Sequence, residues 1–338
     1  PWQSIAKREA ARMGKSAVLL DLSPFTKLKI SGPGAVDALN ALTTAQMDVP
    51  EGRAVYTQLL NPRGGIEMDV TVTRLEPEAF WITSGAATRQ RDLAYLRRNL
   101  PSGVMIEDIT EAHCVIGLMG AASRGMLRAV FPDLPDLPFG SVFDLMLAGV
   151  PCRATRVSFV GELGYELTVT NEEARAVFDT LFERDARPMG HYALDGCRIE
   201  KGFKHWGHEL GPEITPLEAG LGFTIDWNKD FIGKEALLAQ CTNGLRQRLV
   251  LMQVEGDALM LHDEPVFEDG AHVGLTTSGA IGPRTGLNLA FGLIGVTPGE
   301  TLAGTYARRF TVRVAGKDYP ATPLRQAPFD PKGERMRA

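Results

Sequence analysis

The feature that most constrains this chain is a weak internal repeat. Leu28-Lys29-Ile30-Ser31-Gly32-Pro33-Gly34 reads as a strand closed by a glycine turn, and it leads into Val36, Leu39 and Leu42 at helical spacing. Val115-Ile116-Gly117-Leu118-Met119-Gly120 leads in the same way into Met126, Leu127 and Val130. The two copies also continue alike. The first runs on through strand-like Met68 to Thr73 and Phe80 to Thr83, then a helix carrying Leu93, Leu96 and Leu100 on one side. The second runs on through Cys152 to Phe159 and Tyr165 to Val169, then a helix carrying Val177, Phe178, Leu181 and Phe182, with Asn171 placed to cap it. Each half therefore reads β-α-β-β-α, close to the split βαβ or ferredoxin-like plan.

Two further segments complete the chain. Tyr192 to Phe203 reads as a helix with Leu194, Cys197 and Arg198 on one face, which predicts an arginine turned inward. From about Leu245 the texture changes to short alternating runs such as Leu249-Val250-Leu251-Met252-Gln253-Val254 and Phe310-Thr311-Val312-Arg313-Val314, the pattern of a small all-β barrel or sandwich. With 338 residues the chain is long enough for two or three such units.

Bulk charge narrows the partners. Against 41 Asp and Glu stand 36 Lys and Arg, a formal charge of −5 without a block of like charge, so nucleic acid and anionic membrane are not expected as partners. Cys114, Cys152, Cys197 and Cys241 are scattered without a C-x-x-C pair, as in a reduced, cytoplasmic protein, and no apolar run is long enough to span a bilayer. The chain opens at Pro1-Trp2 rather than at Met, which points to trimming or to a piece of something longer.

Three places could carry chemistry. In Asn61-Pro62-Arg63-Gly64-Gly65-Ile66-Glu67-Met68-Asp69-Val70-Thr71-Val72, period two puts Asp69 on the face of Glu67 and Thr71, opposite Met68, Val70 and Val72. That face is either solvated or holds a carboxylate at a cavity mouth as acid, base or acceptor. In Gly161-Glu162-Leu163-Gly164-Tyr165-Glu166-Leu167, Glu166 points away from Tyr165 and Leu167, and it is either a plain hairpin residue or an acceptor of paired hydrogen bonds from an amidine-like edge such as a pterin. His205 and His208 have a metal-compatible spacing, but no third ligand cluster supports them and a structural role is expected instead.

Taken together, Asp21-Leu22-Ser23-Pro24-Phe25-Thr26-Lys27, Tyr56-Thr57-Gln58-Leu59-Leu60-Asn61, Gly64 to Asp69, Gly161 to Glu166, Arg198-Ile199-Glu200-Lys201-Gly202, Thr215 to Leu221, Phe231 to Leu237 and Thr277-Ser278-Gly279 resemble the signature blocks of the glycine-cleavage T-protein (aminomethyltransferase) family, in order, over nearly the whole chain. His205-Trp206-Gly207 before Thr215-Pro216-Leu217-Glu218 is most similar to the folate-binding halves of dimethylglycine and sarcosine dehydrogenases. The resemblance implies an α+β fold: a three-domain cloverleaf with two ferredoxin-like halves and a C-terminal β-barrel around a central folate channel. The expected division is residues 1–48 with 140–240, residues 49–139, and residues 245–338.

It further implies tetrahydrofolate as cofactor, a small methylated compound as donor, and an FAD-containing oxidase domain or subunit as partner, with flavin not bound within this chain. The implied activity is tetrahydrofolate-dependent one-carbon transfer; the alternatives are a stand-alone demethylase of a sulfonium, O-methyl or N-methyl compound, and a non-catalytic folate-binding protein. By the same resemblance Asp69 falls at the essential carboxylate, Glu166 at the pterin-holding carboxylate, Tyr56 at the ring-packing position and Arg198 at an arginine that fixes a carboxylate or the folate tail. Phe25, Thr71 and Ile82 would line the channel, and Phe159 stands where many members have tyrosine.

Overall fold

The computed structural model describes residues 2–338 and resolves the repeat into two sheets. The first copy builds a five-stranded antiparallel sheet in the order Arg53–Leu60, Ile66–Glu76, Ala79–Ser84, Thr26–Ser31, Met105–Asp108. The second builds the same order from Val142–Leu147, Val150–Thr155, Gly164–Thr170 and His113–Met119, ending in Arg187–Pro188. Into this second sheet the N-terminal strand Val18–Asp21 is inserted, antiparallel to His113–Met119 and parallel to Arg187–Pro188, making six strands. Each copy thus carries one more strand after its first helix, and a short closing strand, beyond the expected β-α-β-β-α.

Strand pairing corrects the expected domain division. That division places Thr26–Ser31 with residues 1–48 in the first domain, yet this strand pairs with Ala79–Ser84; it places His113–Met119 in 49–139, yet this strand pairs with Gly164–Thr170. The physical reason is the repeat itself, because each copy's first strand hydrogen-bonds within its own copy.

In each sheet one face carries the apolar residues that period two assigns to it. Leu28, Ile30, Met68, Val70, Val72, Phe80 and Ile82 pack under helices Ala35–Leu42 and Arg89–Asn99 through Leu39, Leu42, Leu93 and Leu96. Ile116, Leu118, Tyr165, Leu167 and Val169 pack likewise against Leu127, Val177 and Leu181 of helices Ser123–Val130 and Ala174–Glu183. Removing such side chains from water contributes roughly 1.5–3 kcal/mol each. Asn171 does not cap the last of these helices. Glu173 occupies the N-cap position, while the Asn171 amide donates to the Glu111 carbonyl at 2.6 Å and ties the helix entry to the 110–112 turn.

Part of the six-stranded sheet's other face is covered by the helices Trp2–Arg12 and His191–Glu200, through Ala6, Ala10, Ala193 and Cys197 against Val18, Leu20, Val115 and Met119. The remainder turns toward the uncovered face of the five-stranded sheet. Residues after Leu245 close a six-stranded barrel, Gln247–Val254, Asn288–Gly295, Ala271–Ile281, Pro265–Glu268, Phe310–Val314, Lys317–Pro323, as the alternating runs predict.

Barrel and helix His191–Glu200 are joined by charge. The Arg284 guanidinium donates to Glu200 at 2.5 Å and approaches Glu162 at 3.5 Å, and both carboxylates are buried. No helix among the described residues is long and apolar enough to cross a membrane.

Candidate functional site

The two sheets face each other with polar side chains. Thr71, Thr73, Trp81 and Thr83 from the five-stranded sheet and Arg153, Thr155, Glu166 and Thr168 from the six-stranded sheet line one small cavity, with Lys27 at its side. Period two explains the set: every one of these strand residues alternates with a core residue of its own sheet. A larger cleft of about 680 Å³ lies elsewhere, between Arg63, Gly65, Glu213, Gln240, Arg246 and Pro298. It contains none of the candidate site residues, so their chemistry is sought between the sheets.

Glu166 has no hydrogen-bond partner among the described residues. Burial raises its pKa from the ordinary value to about 7, because protein displaces the water that would stabilise the charge. The strand start is tightly packed: a Cβ on Gly164 would meet the Met119 sulfur at 2.1 Å and the Val157 carbonyl oxygen at 3.0 Å, so a larger residue there would have to displace the Met119 side chain. Arg153 lines the same cavity but is committed to Asp144, with a bond of 2.8 Å.

Asp69 sits on the uncovered face of Ile66–Glu76, two residues from Thr71. The register pairs Gln58 with Asp69 and Tyr56 with Thr71, so all four share that face. The Gln58 amide donates to Asp69 Oδ1 at 2.8 Å, and its oxygen accepts from the Thr224 hydroxyl at 2.6 Å, which fixes which end of the amide meets the carboxylate. Burial raises the Asp69 pKa to about 6, opposed by hydrogen bonds from Gln58 and Tyr56 and by the Lys204 ammonium. The Tyr56 hydroxyl is in turn pushed well above its ordinary value, by burial first and by the Asp69 charge second. Tyr56 nonetheless keeps 38% of its surface open, as expected of a ring bordering internal space rather than packed in a core. The adjoining turn is equally constrained. A Cβ on Gly65 would lie 1.8 Å from the Pro212 carbonyl oxygen, so the 211–214 segment can dock there only against glycine.

Arg198 is buried at 2% exposure, as the helix face predicts, and the carboxylates it fixes are the protein's own. It donates to Asp195 at 2.7 Å and to Glu209 at 2.6 Å, and Glu209 also accepts from the His205 backbone, Thr277 and Ser278. Phe159 stacks on Phe203 with ring centroids 5.8 Å apart. Phe25 packs partly against the apolar cluster of Met119, Val160 and Cys197.

Ile82 is a correction. It is fully buried, paired with Leu28 and Val72 in the core beneath the sheet, and its strand turns Trp81 and Thr83 to the cavity instead. His205 and His208 form no metal cluster, and no group of three His, Cys, Asp or Glu among the described residues could hold a metal ion. The four cysteines are free thiols.

Gln58, Thr224 and Lys204 are not apparent as site residues from sequence. Gln58 is within reach, since it alternates with Tyr56 on one strand. Thr224 and Lys204 lie in turns, where no period assigns a face.

Residues 1–229 match the GCVT N-terminal domain and residues 246–330 the glycine cleavage T-protein C-terminal barrel domain. The chain belongs to the glycine cleavage T-protein family. That family is one of folate-dependent one-carbon transfer.

Among its relatives, 4-methylaminobutanoate oxidase (formaldehyde-forming) of Paenarthrobacter nicotinovorans is 40% identical over 98% of this chain and 40% of its own length. Human mitochondrial sarcosine dehydrogenase is 32% identical over all of this chain and 40% of its own length. The chain therefore spans about two fifths of the length of these relatives. An aminomethyltransferase of Desulforamulus reducens is 31% identical over 86% of this chain and 81% of its own. The crystal structure of glycine cleavage system aminomethyltransferase T from Bartonella henselae superposes with a TM-score of 0.87 over 96% of this chain and 89% of that one, at 24% identity, and shares the fold.

Proposed function

We propose that this T-protein family chain binds tetrahydrofolate between its two sheets and transfers a one-carbon unit to it from a small methylated amine or its oxidised adduct. One observation carries the reading. Glu166, an unpaired carboxylate enclosed by protein, faces the same inter-sheet space as Thr71 on the Asp69 face. An enclosed carboxylate without a partner costs stability unless a ligand supplies donors, and a pterin's amidine-like edge supplies two in parallel.

The residues fit that group. Glu166 would hold the pterin edge, Tyr56 would pack beside the ring, and Thr71 would border it. Bound folate supplies nucleophilic nitrogens. The chain's own part is to hold the reactants together, exclude water, and keep a carboxylate where positive charge or a proton appears. Asp69 is that carboxylate. Gln58 and Tyr56 hold it by hydrogen bonds, so it accepts a proton or balances a cation without first reorienting. Arg198 supports the site from below: its pair with Glu209 anchors the 203–209 turn and, through Thr277 and Ser278, the barrel.

The length of the relatives and the names of two of them, an oxidase and a dehydrogenase of methylated amino acids, favour a donor made by an oxidase domain or subunit over a free-standing demethylase. The test is to incubate the chain with tetrahydrofolate and candidate donors, formaldehyde and N-methyl amino acids with an oxidase among them, and to identify the folate product by mass. Saturable folate binding without any product would favour a binding protein, and absence of binding would overturn the reading.

A further inference from the structure

The cleft of about 680 Å³ outside the inter-sheet space has a buried carboxylate in its wall. It opens between the 61–65 turn, the 212–218 segment, the helix Lys234–Asn243 and the start of the barrel, and the carboxylate is Glu218, only 1% exposed. Thr215-Pro216-Leu217-Glu218 folds as a capping box. The Thr215 amide donates to Glu218 Oε2 at 3.0 Å, and the Glu218 amide donates to the Thr215 hydroxyl at 3.2 Å. The Gln247 side chain adds a second donor to the same Oε2 at 3.3 Å. Glu218 Oε1 is buried and has no hydrogen-bond partner among the described residues.

A capping box is served by glutamine as well as by glutamate, so the cap accounts for Oε2 and not for the charge. An enclosed carboxylate oxygen without a donor is costly to the fold. The rest of the lining supplies the counterparts of a ligand. The Gln240 oxygen accepts from the Thr215 hydroxyl at 2.7 Å, which leaves its amide nitrogen to donate elsewhere. Arg63 and Arg246 stand exposed on the rim. Arg63 approaches Glu213 only at 3.8 Å with both side chains open to water, a pair that holds weakly. The charged lining is therefore Glu218 and Glu213 against Arg63 and Arg246, in balance. A simple cation would meet two guanidiniums at the entrance, and a simple anion would meet Glu218 at the floor. A molecule that carries both charges meets neither penalty.

We infer that this cleft is a second binding site, for a small zwitterionic amino acid whose ammonium donates to Glu218 Oε1 and whose carboxylate reaches Arg63 or Arg246. The volume lies in the range of small-molecule sites. Depth ranks the two contacts. At the enclosed floor the ammonium–carboxylate pair is little weakened by water, whereas at the rim water and salt screen the guanidiniums. The ammonium is the anchor, and the carboxylate end adds selectivity. None of Asp69, Glu166 or Tyr56 lines the cleft, so the site goes beyond the proposed folate-dependent transfer and does not depend on it.

Calorimetry on the full chain, with unbranched ω-amino acids from glycine to aminohexanoate as probes, tests the assignment. At least one length should bind saturably, and the alkylamine and the carboxylate of that length should each bind more weakly, the carboxylate by on the order of tenfold or more. Glu218→Gln can keep an oxygen on the Thr215 amide while setting a donor where the free acceptor was, and should weaken the amino acid by a similar factor. Arg246→Ala should cost only about a few fold, as expected of a screened contact. Ala239→Leu leaves every charge in place and narrows the cleft, so it should also reduce binding, and it decides the matter if Glu218→Gln does not fold. Glu166→Gln should leave the amino acid's affinity unchanged. Absence of saturable binding by any probe, or binding that survives both Glu218→Gln and Ala239→Leu, overturns the proposal. Binding lost in Glu166→Gln would place the amino acid between the sheets and overturn it too. Failure of tetrahydrofolate to bind overturns the functional reading alone.

Discussion

Gln58 stands directly opposite Asp69 in the strand pair and holds its Oδ1 at 2.8 Å, while Thr224, brought in from a distant turn, holds the other end of the same amide. The carboxylate is therefore oriented by a chain of three residues whose order fixes the amide's direction. Gln58→Leu removes the donor. A hydrogen bond to a charged group contributes roughly 1.5–3 kcal/mol, so the acid limb of turnover should move up by about one pH unit. Thermal stability should change little, because the single Thr224 hydroxyl proton can turn to its alternative acceptor, the Leu221 carbonyl at 2.7 Å. A pH–rate profile with an unmoved acid limb would remove Gln58 from the site.

Glu166 makes a claim on stability as well as on binding. A carboxyl whose folded pKa lies near 7, against an ordinary 4.5, holds its proton more tightly in the fold than in the unfolded chain. The ligand-free fold is favoured at low pH, and that advantage fades as pH rises from about 4.5 through about 7. Glu166→Gln, a neutral mimic of the protonated form, should therefore raise the melting temperature at pH 8 by on the order of a few degrees and change it little near pH 4.5. Folate should reverse the preference, because the ionised glutamate gains donors that the amide cannot pair in the same way. Melting curves at the two pH values, with and without tetrahydrofolate, separate these effects.

Arg198 and Glu209 form a buried pair, and breaking one side of it leaves a charge without compensation. Arg198→Met should destabilise the protein by about 3–5 kcal/mol. Adding Glu209→Gln should recover part of that loss, although the barrel contacts through Thr277 and Ser278 would weaken. Denaturant titration of the single and double variants measures the coupling, and equal loss in both would mean that Arg198 acts through packing alone.

Much of this is legible in the sequence because period two is a strong signal wherever one face of a strand is apolar. Met68, Val70 and Val72 set the inner face, so Asp69 and Thr71 must be outside, and the same logic places Glu166 against Tyr165 and Leu167. The helix face of Leu194, Cys197 and Arg198 is equally readable. Periodicity does not give which outer face meets another sheet and which meets water; that depends on contacts across the whole chain. Ile82 shows the limit: its apolar character and alternation with Trp81 and Thr83 mark it as core, and resemblance alone puts it in the channel. Thr224 reaches Gln58 from a turn far along the chain, and the strand Val18–Asp21 joins the second copy's sheet, which no local pattern announces.

The last prediction concerns Asp69 itself. Asp69→Asn keeps the shape and the face, and the amide can still meet Gln58, but it carries no charge. If this strand face served only to support the fold, the change would relieve a buried carboxyl whose pKa already sits near 6, and activity would stay the same. If Asp69 instead receives a proton or balances a cation during transfer, tetrahydrofolate should bind as before while turnover falls on the order of a hundredfold or more, the usual consequence of losing a positioned acid–base group. In the unsubstituted chain turnover should rise with pH through about 6 as Asp69 ionises, and in the Asn variant that limb should disappear. Kinetics at saturating folate across pH 5 to 8, as roughly spans the titration, decide the matter: near-normal turnover in the variant would sink the role given to Asp69 while leaving folate binding at Glu166 untouched.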